Sequence, residues 1–430
     1  MSSYPLKDNS KIDNDELANS KLIKSLVNKD LSELDKENFL IFPQQLNNSK
    51  DLDRNNYIFK QSNGEVWTRN VVGIISDGED EIRIRSRFSN DQDTDFFLRY
   101  MMETVFNYNV VNTNINSSKE FSYYDLLVFL FPYYLNQAMR KGVYKEYVNR
   151  KYNDANVRGP IDIARHLKIN TPFIGKVAYN TREFSLDNSI TQLIRHTIEK
   201  IQSEKFDLSS DENIKDNVRI IKSVTTSYSK MKRTDILRKN ILTPVKHGYF
   251  KEYTALQKIA IQILMEEKIG FGDDDNQING ILIDVAWLWE EYIAKITGWD
   301  HYGRKQELKT LRMYKYRNSD SWQQRYPDFV TNDNLIVDTK YKKSLDKRND
   351  YNQMITYIHL LKSKEGIFLQ PTDNSEEKGY SELGELAGQG GKLSTYRFFI
   401  PQDCVNYEDF KKQIKQAELQ LLNFDVNDIE

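Results

Sequence analysis

The stretch Pro327-Asp328-Phe329-Val330, Thr331-Asn332-Asp333-Asn334, Leu335-Ile336-Val337-Asp338-Thr339-Lys340-Tyr341 constrains this chain more than any other. Two short apolar runs flanking a polar turn predict a β-hairpin. Side chains alternate faces along a strand, so Ile336, Asp338 and Lys340 share one face of the second strand and Val337 and Thr339 the other. The apolar run Leu335-Ile336-Val337 leads straight into Asp338, and a buried strand seldom ends in unpaired charge without cause, because burying charge is expensive.

These residue types suit hydrolysis of a phosphodiester. That reaction needs a hard cation to neutralise developing charge, and hard cations take carboxylate oxygens, backbone carbonyls and water. Asp328 and Asp338 would supply carboxylate oxygens and the Thr339 carbonyl a third ligand. The implied ion is a hard divalent cation, and the residues alone do not choose between Mg2+ and Mn2+. Lys340 beside it would orient or help deprotonate the attacking water and offset phosphate charge. A surface hairpin carrying ion pairs would show the same spacing, so the flanking segments matter.

Upstream, Ile283 to Gly298 predicts an amphipathic helix, with Val285, Leu288, Trp289, Tyr292, Ile293 and Ile296 on one stripe. Glu290 and Glu291 flank that stripe, and periodicity does not choose which of them reaches the hairpin as a further carboxylate. Downstream, Gln353 and Tyr357 are four apart and share a helix face, where they would position the lysine, the water or the DNA backbone. From His301 to Arg348, Arg304, Lys305, Lys309, Lys315 and Arg317 interleave with Tyr302, Tyr314, Tyr316 and Trp322, a mixture suited to phosphate contact and base stacking.

Elsewhere the sequence mainly sets bounds. With 430 residues the chain exceeds the usual size of one core, and 61 basic against 63 acidic residues leave room for charge segregated on different faces. One cysteine excludes a disulfide framework, a thiolate zinc cluster and an iron-sulfur centre, and fits a reducing cytoplasm. Residues up to Glu37 read as a polar tail without a signal-peptide core, and Leu126 to Leu135 is too short to span a bilayer and reads as buried.

The expected organisation is a β-rich module over about 38–87, containing a hairpin with Ile82 and Ile84 inward and Arg83 and Arg85 outward. Mainly helical structure follows over about 94–150, then a mixed segment carrying Arg158-Gly159 and Asp187-Asn188. Helices are expected at Ser189 to Ile201, capped by Asp187, Asn188 or Ser189, and at Tyr253 to Glu267, with a polar loop over 207–216. The Gly270 to Asp275 loop lacks the spacing of a calcium loop, and Gly388 to Lys392 lacks that of a phosphate-binding loop. The fold class is mixed α/β: a tail (1–37), a β-rich and helical N-terminal partner-binding region (38–235) and a C-terminal nuclease domain (236–430).

Taken together, these segments resemble McrC, the nuclease subunit of the modified-cytosine restriction system McrBC. The likeness runs over roughly Val157 to Gln370. It rests on Leu288-Trp289-Glu290-Glu291-Tyr292-Ile293, Pro327-Asp328, Asp338-Thr339-Lys340-Tyr341, Gln353-Met354-Ile355-Thr356-Tyr357 and the Arg158-Gly159 and Asp187-Asn188 segments. The resemblance implies a C-terminal domain of the PD-(D/E)xK restriction-endonuclease type. In it Glu290 rather than Glu291 is the catalytic-helix glutamate, and Asp328, Asp338 and Lys340 bind magnesium and activate water. It also implies an AAA+ GTPase hexamer of the McrB type as partner, whose GTP hydrolysis the chain stimulates, and modified double-stranded DNA as substrate. Two other readings fit the same residues: a RecB-like or Cas4-like repair nuclease, and a non-catalytic adaptor of an AAA+ NTPase.

Overall fold

The structure, a computed structural model, describes residues 2–34, 39–43, 57–77, 80–89, 95–106, 123–204, 206, 208, 211–246, 248–265, 279–302, 311–314, 324–331, 333–388 and 390–424. It is a mixed α/β protein whose chain separates into two compact units. One draws on both ends of the chain, 1–107 and 271–430, and the other on 124–270. The divisions expected at 37/38 and 235/236 therefore do not fall where the chain separates. The reason is strand pairing: Phe39–Phe42 lies parallel, and Val71–Ser76 antiparallel, to Asn279–Asp284 in a single sheet.

That sheet has five strands, in the spatial order Ser2–Lys7, Asp80–Arg85, Val71–Ser76, Asn279–Asp284, Phe39–Phe42. The segment expected as a polar tail supplies its edge strand and three short helices. Scattered apolar residues explain this: Ile12, Leu17, Leu22, Ile23, Leu26 and Leu34 are buried against Ile58, Phe59 and Ile82 in one core. The hairpin of Val71–Ser76 with Asp80–Arg85 forms as expected, with Ile82 and Ile84 buried and Arg83 and Arg85 at the surface.

A second sheet in the same unit has six strands, ordered Asp300–His301, Phe329–Val330, Ile336–Thr339, Glu365–Thr372, Lys392–Phe399, Gly379–Glu385. Ile336–Thr339 is antiparallel to Phe329–Val330 and parallel to Glu365–Thr372. The parallel step is bridged by helix Asn349–Leu361, as a parallel connection requires. Ile336, Met354, Tyr357, Ile358 and Phe368 pack between that helix and the sheet. Burial on both faces of Ile336–Thr339 makes it an interior strand.

Helix Val285–Thr297 leaves the first sheet directly. Asp284, the last strand residue, caps it, Oδ1 accepting from Ala286 N at 3.0 Å and Trp287 N at 3.1 Å. The helix thus starts two residues later than the periodicity from Ile283 suggested, because Ile283 and Asp284 belong to the sheet. Gly298 ends it in the left-handed conformation, φ 65°, which glycine adopts without strain. Trp289 and Tyr292 pack on Phe97 and Phe398, each buried aromatic contributing about 2 kcal/mol. Ile296 is only partly covered.

The second unit is mainly helical, with Ser189–Ser203, Glu212–Val224, Arg233–Leu242 and Glu252–Met265 beside Tyr123–Met139, which buries most of Leu126 to Leu135. A two-stranded antiparallel ribbon, Glu146–Asp154 with Val177–Ser185, occupies residues expected to continue a helix to Arg150. Exposure alternates residue by residue along its first strand, the period of a strand rather than of a helix. The loop expected over 207–216 is interrupted at Asp211, whose side chain accepts from Ile214 N and starts helix Glu212–Val224. The Gly270 to Asp275 loop lies outside the described residues, as do Arg304, Lys305, Lys309, Lys315, Tyr316, Arg317 and Trp322. No helix among the described residues is long and apolar enough to cross a membrane.

Candidate active site

The hairpin brings the two aspartates together. Phe329 pairs with Val337 and Val330 with Ile336; carried one step further, that register would set Asp328 across from Asp338, but the pairing ends at Phe329 and the chain bends at Asp328, whose carboxylate stays close enough to Asp338 for its charge to act. Two carboxylates are thereby held together, an arrangement that costs energy unless something of opposite charge compensates.

The same register explains the proline. Thr331 N donates to Leu335 O at 2.9 Å, and continuing that alternation would put Thr339 opposite Pro327 at a position where each residue would normally donate to the other. Pro327 has no N–H to give the Thr339 carbonyl. Thr339 N instead donates to Asp328 Oδ2 at 2.7 Å, as does Thr339 Oγ1 at 2.7 Å. Asp328 is locked in place by the strand it faces.

Asp338 is buried, 1% exposed. Lys340 Nζ stands 2.6 Å from its Oδ2 as an ion pair, which fulfils the expected convergence of the two side chains on one face. The lysine is the partner of this buried carboxylate oxygen. Lys340 Nζ donates to Gln353 Oε1 at 3.1 Å. Gln353 Nε2 donates to Tyr357 Oη at 2.8 Å, and Tyr357 Oη donates to the Tyr326 carbonyl at 3.0 Å. Because the tyrosine proton is committed to a carbonyl, its oxygen must accept from the amide, which leaves the glutamine oxygen facing the lysine. The helix pair Gln353 and Tyr357 therefore fixes the direction of Lys340.

Glu290 reaches the same place from helix Val285–Thr297, and its charge acts on both Asp328 and Asp338. Burial first, then the Glu290 and Asp338 charges, push the Asp328 carboxyl well above the usual carboxylate range. Burial raises Asp338 too, although the Lys340 charge opposes it. Burial disfavours the Lys340 ammonium, yet Asp338 and Asp328 outweigh that and raise it, so the lysine is held protonated.

Several participants left no mark in the sequence. His301 Nε2 lies 2.6 Å from Glu290 Oε1. Asp350, buried, pairs with Lys342 and stands 4.0 Å from Lys340. Behind the strand, Tyr341 Oη bonds Ser86 Oγ at 2.7 Å, and the Arg87 guanidinium lies 4.9 Å above its ring. Arg87 is itself paired with the buried Asp8 of the segment expected as a tail. The Asp338 strand is thus gripped on both faces.

The donor chemistry suits a hard cation: carboxylates whose charges act on one another and a main-chain carbonyl beside them. Among the described residues no group of three His, Cys, Asp or Glu already stands in metal-holding geometry. Glu290 is turned to His301, and Asp338 to Lys340.

Asp187 and Asn188, also singled out in the sequence, do structural work in the second unit. Asn188 is the N-cap of Ser189–Ser203, its Oδ1 accepting from Ile190 N and Thr191 N, with Thr191 Oγ1 accepting from Asn188 N in return. Asp187 accepts from Gln192 Nε2, Ser227 N and Thr226 Oγ1. Arg158 Nε donates to Tyr179 Oη at 3.3 Å, and the Asn180 carbonyl leaves no room for a side chain on Gly159.

No curated protein sequence matches the chain. Among solved structures it is similar to the Thermococcus gammatolerans assembly of McrB AAA+ hexamers with bound McrC, at 12% identity and TM-score 0.49, covering 96% of this chain and 100% of that one. It is also similar to the cryo-EM structure of the Thermococcus gammatolerans McrBC complex, at 12% identity and TM-score 0.31, covering 69% and 87%. The family model for the McrBC 5-methylcytosine restriction system component matches residues 66–369, most of the 430-residue chain and all of the hairpin. The chain belongs to the family of McrBC 5-methylcytosine restriction system components.

Proposed function

We propose that this chain is the DNA-cleaving subunit of its restriction system, a Mg2+-dependent endonuclease of the PD-(D/E)xK type. The observation that carries the reading is the gathering of three carboxyl groups and a lysine at one buried place: the Asp338 and Glu290 charges act on Asp328, the Glu290 charge acts on Asp338, and Lys340 is ion-paired to Asp338. Like charges held this close call for a compensating cation.

Asp328, Asp338, Glu290 and the Thr339 carbonyl would hold the ion. Bound there, magnesium neutralises charge developing on the scissile phosphate and makes a coordinated water acidic. The protein's own groups do the rest. Lys340 would serve as a hydrogen-bond donor and positive charge toward phosphate and water. Gln353 and Tyr357 keep its ammonium aimed, an orientation fixed before substrate arrives.

Family membership extends the reading to the partner: an AAA+ GTPase hexamer of the McrB type, whose GTP hydrolysis this chain stimulates, acting on methylcytosine-containing double-stranded DNA. The test is cleavage of methylated and unmethylated plasmid in Mg2+, by wild-type and Asp338→Ala chains, each with and without the partner and GTP. Cleavage that requires Asp338, the partner and GTP supports the reading. Partner GTPase stimulation by both chains without cleavage by either would make this an adaptor instead.

A further inference from the structure

Glu290 is not free to choose its direction, and the residue that constrains it is His301. We propose that His301 is a positioning residue that holds Glu290 Oε1 through its Nε2, so that the other carboxylate oxygen is the one presented to the cation; this rests on the metal-dependent reading above. His301 is in the edge strand Asp300–His301, opposite Phe329 and thus beside the residue that follows Asp328. Tyr302 N donates to the Asp328 carbonyl at 3.1 Å, tying that strand to the hairpin. The imidazole edge packs on the Phe329 ring, centroids 5.0 Å apart at 75°.

The ring's hydrogen bonds fix its role. Nδ1 lies 2.9 Å from the Tyr302 carbonyl, which can only accept, so Nδ1 carries a hydrogen. Nε2 lies 2.6 Å from Glu290 Oε1, a separation that requires one proton between the two atoms. The imidazole thus bridges the main-chain carbonyl of the residue that follows it to the helix carboxylate, and both its side chain (11% exposed) and that of Glu290 (20% exposed) are largely enclosed. A carboxylate anchored at one oxygen loses the freedom to swing away, which is how outer partners of metal ligands raise affinity, with deletion typically costing about 10–100-fold.

The prediction is read from Mn2+ binding to the full-length chain, followed by the electron paramagnetic resonance of free Mn2+, and from the Mg2+ dependence of cleavage in the complete mixture. His301→Ala should weaken Mn2+ binding about 10-fold or more, and His301→Gln, whose amide can still donate to Glu290, should recover part of that loss. Glu290→Gln should weaken binding as well, and the double variant should bind no worse than Glu290→Gln alone, because His301 acts through Glu290. Wild-type affinity in a folded His301→Ala chain, or additive losses in the double variant, would overturn the proposal. If Asp338→Ala binds Mn2+ as well as wild type, the metal-site reading itself fails, and the positioning role with it.

Discussion

Two clusters of polar residues stand out in this sequence, Asp187-Asn188 and the Asp328, Asp338, Lys340 set, and the structure treats them oppositely. At Asp187-Asn188 the polar atoms find partners within the chain: Asn188 caps a helix and also donates from Nδ2 to the Tyr144 carbonyl, and three donors converge on Asp187. Burial would raise the Asp187 carboxyl, but the hydrogen bonds from Gln192, Ser227 and Thr226 win and lower it. In the hairpin, carboxyl groups are buried and crowded together, and both Asp328 and Asp338 lie above the ordinary range despite the Lys340 charge beside them. A cluster whose polar atoms are all partnered stabilises the fold. Crowded carboxyl groups cost stability, which the proposed cation would recover.

The sharpest way to break this contrast is Asp338→Asn. It keeps the shape and removes the charge, so cleavage should fall by about 10^3-fold or more, an effect of roughly 4 kcal/mol on the transition state, while the melting temperature does not drop. A drop in melting temperature with unaltered cleavage would make Asp338 structural. Asn188→Ala should do the reverse. Losing the cap and its buried donor should lower stability by about 2 kcal/mol in a denaturant titration and leave Mn2+ affinity unchanged.

Tyr357→Phe tests the chain of hydrogen bonds behind Lys340. Without the hydroxyl the Gln353 amide is free to flip, and cleavage should fall about 10-fold, with little change in melting temperature. The smallest effects concern pH. Asp328 is raised in the folded protein, so its ionisation weakens folding; Asp328→Asn should raise the melting temperature at neutral pH, and the gain should fade as pH falls toward the ordinary carboxyl range. Asp187 is lowered, so its contribution is present above the ordinary carboxyl range and is lost on acidification; Asp187→Asn should destabilise at neutral pH and cease to do so in acid. Melting curves across pH for both variants should therefore bend in opposite directions.

How much of this was legible follows from range. The hairpin, the sharing of a face by Asp338 and Lys340, and the Gln353–Tyr357 pair depend on neighbours a few residues apart, and alternation or helical spacing reveals them. The closeness of Asp328 to Asp338 was within reach too, had the turn been assigned a register. His301 was not, because a two-residue edge strand carries no period. Nor was the role of the first residues: Ser2–Lys7 pairs with Asp80–Arg85, and Asp8 finds Arg87, across nearly eighty residues of chain that local composition cannot see. Glu146–Asp154 was missed because its exposure alternates but its residue types do not, Tyr147 and Val148 being adjacent and followed by three polar residues, and because its strand partner begins only at Val177.

Thermal unfolding of the wild-type chain with and without Mn2+, beside Asp338→Asn and Asp187→Asn, tests the central claim most directly. Ion binding to the folded state at 100 times its Kd adds about 2.7 kcal/mol. The account predicts that Mn2+ raises the melting temperature of the wild-type and Asp187→Asn chains and leaves Asp338→Asn unmoved. An equal rise in all three, or none in the wild type, would contradict the assignment of Asp328 and Asp338 as a site that waits for a cation.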